Sequence, residues 1–113
     1  MITDEGHIIH IDYGFIFSIS PAGDMNFEKA AFKLTKEMVE ILGGDVRAEA
    51  YQLLVHLTVK CFLAVRAHRA EIIEAIYPMF HSGLPCFKPA SLKDLENRFV
   101  PDYNECQAAH FMR

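Results

Sequence analysis

The chain has 113 residues, of which 51% are apolar and 23% are charged, so it has room for one domain with a hydrophobic core. Fifteen acidic against eleven basic residues give a formal net charge of −4, which excludes a general electrostatic attraction to nucleic acid or to an anionic membrane. No uncharged run reaches the roughly 20 apolar residues of a membrane span, and the first residues lack the pattern of a secretory signal.

The first twelve residues predict a β-hairpin. Asp4-Glu5-Gly6 has the composition of a turn and separates residues 1–3 from the β-branched run 7–12. Residues 14–31 then hold too many Ser, Pro, Gly, Asp and Asn residues for a regular element, although aromatic residues are interleaved with them. This pattern predicts a long functional loop attached to the core by aromatic side chains. These side chains are Phe15, Phe17 and Phe27.

From Thr35 onward the pattern is helical. Thr35 can cap a helix over 36–42, and Gly43-Gly44 supplies a left-handed stop. A longer helix is predicted over 46–68, because apolar residues recur there at spacings of three and four. These residues, taken as core, are Leu53, Leu54, Leu57, Cys61, Ala64 and Val65.

Three shorter helices follow in the sequence. An amphipathic helix over 69–80 is expected to kink near Pro78. Ser91-x-x-Asp94 and Asn104-x-x-Gln107 each resemble an N-terminal cap with its reciprocal acceptor. They predict two closing helices, over 92–98 and 105–112. The expected fold is therefore mainly α with a short N-terminal hairpin.

The clearest chemical signal is His10-Ile11-Asp12-Tyr13-Gly14, in which a predicted strand delivers an aspartate to its carboxyl end and then breaks at a glycine. Hard cations such as Mg²⁺ prefer oxygen ligands, and a strand end holds a carboxylate rigidly. In phosphoryl transfer such an ion bridges the β- and γ-phosphates of ATP. Asp12 is therefore a candidate metal ligand, and an Asp that only caps a turn is the alternative interpretation.

Several longer segments carry a resemblance to a known family. The chain resembles the metal-binding and activation segments, and then the C-terminal lobe, of type III phosphatidylinositol 4-kinases. Its sequence is more similar to the alpha kind than to the beta kind. The resemblance covers essentially the whole chain and implies the C-terminal part of a lipid-kinase catalytic domain with a protein-kinase-like fold. The matching segments are GHIIHIDYGF (6–15), Ser20-Pro21, FKLTKEMV (32–39), FLAVR (62–66) and GLPCF (83–87).

The resemblance assigns roles to individual positions. Asp12 matches the metal-binding aspartate, and Ile11 matches the apolar residue that forms the floor of the adenine site. Gly14 matches the hinge that starts the activation loop. Phe15 lies in that loop, which spans 13–34. Lys33 is a candidate contact to the lipid headgroup or a phosphate, with an ordinary solvated lysine as an equal alternative.

The resemblance also implies a reaction and its setting. The intact enzyme transfers the γ-phosphate of ATP to the 4-hydroxyl of phosphatidylinositol, with Mg²⁺ or Mn²⁺ as cofactor. It is cytoplasmic and peripheral at the cytosolic face of membranes, including the plasma membrane, and it meets scaffold proteins of a kinase complex. Membrane contact is expected from the loop around Phe15 and from the terminal Phe111, Met112 and Arg113, for which core packing is an equally good explanation.

Two departures from the family pattern concern the loop. Tyr13 replaces the usual Phe, and Asp24-Met25-Asn26 stands where the alpha kind has Asn-Leu-Gly, so that substrate affinity or loop shape differs. The family's catalytic loop and upper lobe are expected to lie before Met1. Because phosphoryl transfer depends on positioning and electrostatic stabilisation, the 113-residue chain alone is expected to be inactive.

Three other interpretations remain open. A metal hydrolase built on His7, His10 and Asp12 is disfavoured because His7 would point to the opposite face of a strand. Cys61, Cys86 and Cys106 lack the spacing of a zinc site, and reduced thiols buried as small hydrophobic side chains are expected. Finally, the chain could act without catalysis, as a helical module that binds a partner through exposed apolar surface.

Overall fold

The computed structural model describes residues 1–11, 16–17 and 34–113. These residues form a mainly helical structure, as predicted, and contain no β-strand. Five α-helices and one 3₁₀ helix follow one another along them. They are α1 (Lys36–Ile41), α2 (Glu49–Ala67), α3 (Arg69–Ile76), the 3₁₀ helix (Tyr77–His81), α4 (Pro89–Arg98) and α5 (Glu105–Phe111).

The prediction of a hairpin over residues 1–12 is wrong for the part that the structure describes. Residues 1–9 reverse direction, and the amide of Gly6 donates to the carbonyl of Thr3 at 2.9 Å to close the turn. Pairing is limited to one antiparallel bridge between Ile2 and Ile8. These two side chains are 75% and 70% exposed. Two paired strands are marginally stable without a third strand or a covered face, and within the described residues this short reversal has neither.

Local capping chemistry sets the limits of α1. The hydroxyl of Thr35 accepts a hydrogen bond from the amide of Met38 at 3.4 Å, which confirms Thr35 as the N-cap. After the helix, Gly43 and Gly44 take φ values of +106° and +70°, and their amides donate to carbonyls of the last turn. The predicted left-handed stop is therefore present, and it leads directly towards α2.

Substitution of Gly43 by Ala is expected to destabilise the chain more than substitution of Gly44. Both glycines have positive φ, but a Cβ on Gly43 would lie 2.6 Å from the Cβ of Ala48, whereas a Cβ on Gly44 meets nothing within 4 Å. We expect Gly43→Ala to cost about 1–2 kcal/mol more than Gly44→Ala, because a steric overlap is added to the backbone strain. Urea unfolding of the two variants measures the difference, and equal midpoints would contradict the prediction.

The next two helices are separated by a single residue. α2 ends at Ala67 and α3 begins at Arg69, with His68 between them at φ −100° and ψ 19°. The ring of His68 is paired with the carboxylate of Glu71 at 2.5 Å. Further on, the chain changes to a 3₁₀ helix at Tyr77, next to Pro78. The α-helix predicted over 69–80 therefore ends at Ile76, shortly before Pro78, because proline cannot continue an α-helical hydrogen-bond ladder.

The two closing helices differ in how well their starts were predicted. α5 begins with the predicted capping box, in which Asn104 and Gln107 exchange side chain to backbone hydrogen bonds at 2.9 Å. α4 instead begins at Pro89, so the prediction of Ser91 as N-cap is wrong. Proline is favoured in the first helical turn because the missing N–H would be unsatisfied there anyway. Ser91 is inside the helix and is only 9% exposed.

The packing among the described residues is sparse. α2 contacts α5, and α3 contacts both α4 and the 3₁₀ helix. Phe99 and Ala108 are the apolar side chains of the described residues that are buried, at 6% and 0% exposure. Both lie in the C-terminal part of the chain, where α4 contacts α3 and α5 contacts α2.

Candidate nucleotide-binding and activation segments

The residues predicted to bind nucleotide and metal lie at the N-terminal end of the chain. Ile11 follows the reversal of residues 1–9 and is 57% exposed, so its side chain is accessible to a ligand or to another part of a protein. The other predicted site residues, Asp12, Gly14, Phe15 and Lys33, lie outside the described residues. Their assigned roles stay predictions.

An aromatic cluster attaches the described part of the loop to the helical region. The ring centroid of Phe17 lies 5.3 Å from that of Phe87, and the ring of Phe80 lies 5.5 Å from Phe87 on an edge-to-face approach. Phe17 has a positive φ of 53°. It was predicted as an aromatic anchor of the loop, and this role is confirmed, whereas Phe15 and Phe27 lie outside the described residues. The GLPCF segment therefore supplies, through Phe87, a support for the loop.

Arg66 joins α2 to the connection between α4 and α5. Its guanidinium donates to the carbonyls of Phe99 at 2.9 Å and Val100 at 3.3 Å, and also to the carbonyl of Tyr103. Val100 has a positive φ of 43°, so this turn is held in a conformation that valine rarely adopts. No role for Arg66 was predicted from local patterns, because its partners lie 33 to 37 residues further along the chain.

The chain terminus lies beside α2. A groove of about 560 Å³ is lined by Arg113, by Tyr51 and His56, and by three valines of α2 and its N-terminal connection. Met112 is half-buried and lines a smaller cavity, whereas Phe111 is 56% exposed. Core packing therefore accounts for Met112, whereas membrane contact of the exposed Phe111 stays a prediction.

Two carboxyl groups with shifted pKa values lie in the first turn of α1 and in the loop before α2. Hydrogen bonds from the guanidinium and the amide of Arg47 lower the pKa of the Asp45 carboxyl. The backbone amide of Glu37, followed by the Thr35 hydroxyl, lowers the pKa of the Glu37 carboxyl. These groups are exposed and satisfy local backbone donors. They have a structural role and do not form a catalytic pair.

The prediction of buried cysteines is wrong. Cys61 and Cys106 are exposed, and Cys86 is half-buried. Cys61 does lie on the predicted apolar stripe of α2, but Leu53 and Leu57 on the same stripe are also exposed, at 54% and 52%. Helical periodicity identifies which face is apolar, but it does not tell whether anything in this chain covers that face.

Among residues 1–11, 16–17 and 34–113, no three His, Cys, Asp or Glu side chains are grouped so that they could hold a metal ion together. Asp12 lies outside this part of the chain. In the same described part, no helix has the length and hydropathy needed to cross a bilayer.

Comparison with known sequences identifies the class of protein. A sequence profile described as "Phosphatidylinositol 3- and 4-kinase" matches residues 1–89, so the chain belongs to this family of lipid kinases. The match includes the predicted nucleotide-binding, metal-binding and activation segments, and it extends through α3 into the start of α4. The resemblance seen in the sequence is thereby confirmed.

Individual relatives that the chain resembles are named as phosphatidylinositol 4-kinases. The chain is 46% identical to phosphatidylinositol 4-kinase STT4 of Saccharomyces cerevisiae over 100% of its own length. It is 42% identical to phosphatidylinositol 4-kinase alpha 1 of Arabidopsis thaliana and 36% identical to putative phosphatidylinositol 4-kinase alpha-like protein P2 of Homo sapiens, in both cases over 99% of its length. The chain spans 6% of the yeast and plant relatives and 19% of the human one.

Proposed function

We propose that this chain supplies the metal-binding segment, the activation segment and the helical support of a phosphatidylinositol 4-kinase. The observation that carries the proposal is the family match over residues 1–89, because it is continuous through the segment that contains Asp12 and the loop after it. The reaction is transfer of the γ-phosphate of ATP to the 4-hydroxyl of phosphatidylinositol. The choice of the 4-hydroxyl comes from the relatives, all three of which are named as 4-kinases or 4-kinase-like.

Within this function Asp12 is the proposed ligand of Mg²⁺ or Mn²⁺, and Ile11 contacts the adenine of ATP. A divalent ion bound with ATP neutralises charge that develops on the phosphates. The exposure of Ile11 is compatible with its role, because its side chain is free to meet a base. A carboxylate provides the oxygen ligands that these hard cations prefer.

The loop is proposed to position the lipid. Gly14 gives the start of the loop its conformational freedom, Phe15 approaches the membrane, and Lys33 contacts the phosphate of the headgroup. The packing of Phe17 against Phe87 supports the loop from the protein side. The exposed Phe111 supplies a second apolar contact with the bilayer. Such an enzyme works as a peripheral protein at the cytosolic face of a membrane, including the plasma membrane, where scaffold proteins hold it.

A chimera tests this function. In the chimera, the present chain replaces the aligned segment of the Saccharomyces cerevisiae relative, and phosphatidylinositol vesicles are supplied with labelled ATP and Mg²⁺. We expect phosphatidylinositol 4-phosphate to form with the chimera and not with the 113-residue chain alone, since positioning requires the other parts of the catalytic domain. The unaltered yeast kinase is the positive control. A folded chimera that forms no product would contradict the proposed function.

A second function, binding of a partner without catalysis, is favoured by one observation. The apolar side chains Leu53 and Leu57 of α2, together with Phe111 of α5, are each more than half exposed. Exposed apolar area of this kind commonly marks an interaction surface. This function predicts that the chimera described above folds and associates normally but transfers no phosphate.

A further inference from the structure

Helix α2 has an unusual distribution of side chains around its axis. At 3.6 residues per turn, its residues Glu49, Gln52, His56 and Lys60 fall within a strip of roughly 80°, which we call the polar strip. Apart from Thr58 and Arg66, whose polar groups bond to backbone carbonyls, and the phenolic Tyr51, the rest of the circumference is apolar. A helix that is apolar around most of its circumference is normally buried on more than one side.

In this chain one part of that apolar surface is covered. α5 packs on α2, and the half-buried residues of α2 recur on the corresponding face, among them Leu54, Thr58 and Phe62. A second apolar face lies beside it and is exposed throughout. It consists of Ala50, Leu53, Leu57, Cys61 and Ala64, and we refer to it as the uncovered α2 face.

We propose that the uncovered α2 face is an internal packing surface of a complete kinase domain, covered there by an apolar segment from another part of the kinase polypeptide. The inference rests on the proposed function, because it takes the chain to work within a longer phosphatidylinositol 4-kinase. The inference adds to the proposed function the surface through which this chain packs within the longer kinase. The surface is formed by two leucines, which are 54% and 52% exposed in this chain, and by three smaller side chains.

The chemistry of the face defines its occupant. None of its five residues is charged, so the occupant has no ionic partner to meet and must itself be apolar at this position. Ala50, Cys61 and Ala64 are small and lie on either side of Leu53 and Leu57. Because these small side chains flank the two leucines, another segment can approach the backbone of α2 closely at both ends of the face, as in ridge-and-groove packing of helices.

The size of the face argues against a second copy of this chain as the occupant. From Ala50 to Ala64 the face is about 22 Å long and about 10 Å wide, which is about 220 Å². A stable interface between separate proteins covers about 800 Å² on each partner. The face is thus too small to hold two copies together, but it suffices where covalent continuity holds the packed parts at high effective concentration. The yeast and plant relatives, of which the chain spans 6%, are long enough to supply the covering segment.

The test compares the reactivity of Cys61 in two settings. The free chain and the chimera with the Saccharomyces cerevisiae kinase are labelled with iodoacetamide, and the peptide that contains Cys61 is quantified by mass spectrometry. Cys61 is exposed in the free chain, so it is expected to react readily there. In the chimera we expect the rate to fall at least about tenfold, as for a group that reacts only after local opening. An equal rate in both settings would overturn the inference.

A pair of substitutions provides an independent measurement. Leu57→Gln changes the uncovered α2 face, and Lys60→Gln changes the polar strip of the same helix. In the chimera we expect Leu57→Gln to lower the folded-to-unfolded ratio by about 10- to 100-fold, because a buried leucine is lost, and Lys60→Gln to leave it unchanged. Both are expected to be neutral in the free chain. If the chimera does not fold, the same two changes are made at the aligned positions of the yeast kinase itself, and a neutral result at the position of Leu57 contradicts the inference.

The outcomes separate the inference from the proposed function. Protection of Cys61 in a folded chimera that transfers no phosphate would support the packing surface and contradict the proposed function. Lipid phosphorylation by a chimera in which Cys61 reacts as fast as in the free chain would support the proposed function and contradict the packing surface. Labelling of Cys61 in the free chain that slows as the chain is concentrated would assign the face to a second copy, and would also overturn the inference.

Discussion

Asp12→Asn in the active chimera is expected to reduce kcat by about 10³-fold, since a divalent ion contributes several kcal/mol of charge stabilisation in phosphoryl transfer and each factor of ten corresponds to 1.36 kcal/mol. Asparagine has nearly the same shape as aspartate but lacks the negative charge that holds the ion. We therefore expect the Mg²⁺ concentration needed for half-maximal activity to rise as well. The measurement is a steady-state assay with labelled ATP over a range of Mg²⁺ concentrations.

Asp4→Asn is the matched control for this substitution. Asp4 lies in the exposed turn between Thr3 and Gly6, so the same chemical change is made eight positions away without touching the proposed site. We expect kcat and the Mg²⁺ dependence of this variant to equal those of the unsubstituted chimera. If Asp12→Asn also leaves both quantities unchanged, Asp12 has no part in metal binding, and it is then an aspartate that only caps a turn.

The second large effect is expected from Arg66→Met, which removes the hydrogen bonds to Phe99, Val100 and Tyr103. We expect the free energy of unfolding of the chain to fall by about 2–3 kcal/mol, because carbonyls next to the buried Phe99 lose a charged donor. For a domain of this size the melting temperature would fall by about 10–15 °C. Differential scanning calorimetry and urea unfolding measure the two quantities.

Two further variants make the Arg66 result specific. Arg66→Lys keeps the charge but lacks the planar fork that reaches several carbonyls at once, so most of the destabilisation is expected to remain. Lys60→Met removes a cation from the polar strip of the same helix and is expected to be neutral. Hydrogen exchange gives a local measurement, because the amide of Tyr103 donates to Val100 within the turn that Arg66 holds. Unchanged protection of that amide in Arg66→Met would refute the role of Arg66 as the clamp of this turn.

The features that were predicted correctly depend on residues close together in the sequence. The cap at Thr35, the stop at Gly43, the break near Pro78 and the capping box at Asn104 each involve groups within a few positions of one another. Such interactions are set by local side-chain chemistry and backbone preference. They do not require knowledge of what the element packs against.

The features that were missed depend on distant contacts or on their absence. The hydrogen bonds of Arg66 span 33 to 37 positions in the sequence, and no local sequence pattern predicts them. The β-branched run at residues 7–11 satisfies the propensity of a strand, but it forms a single bridge because no further strand among the described residues pairs with it. Cys61 lies on an apolar stripe, yet it is exposed, since none of the residues that the structure describes covers it.

The candidate site was predicted through resemblance more than through physical pattern. Asp12 after a β-branched run is a weak signal alone, and it becomes specific with the segments that follow it. The support of the loop by Phe87 was not predicted, because the contact joins Phe17 to a residue 70 positions away. A sequence pattern shows that both residues are aromatic, but only the fold brings their rings together.

The junction at His68 determines where this chain tolerates changes of length. With one residue between α2 and α3, an inserted amino acid there would rotate α3 by about 100° around its axis and turn Ile73 away from Glu96 and Phe99, with which it lines a small cavity. We therefore expect natural insertions and deletions in related chains to be absent at His68.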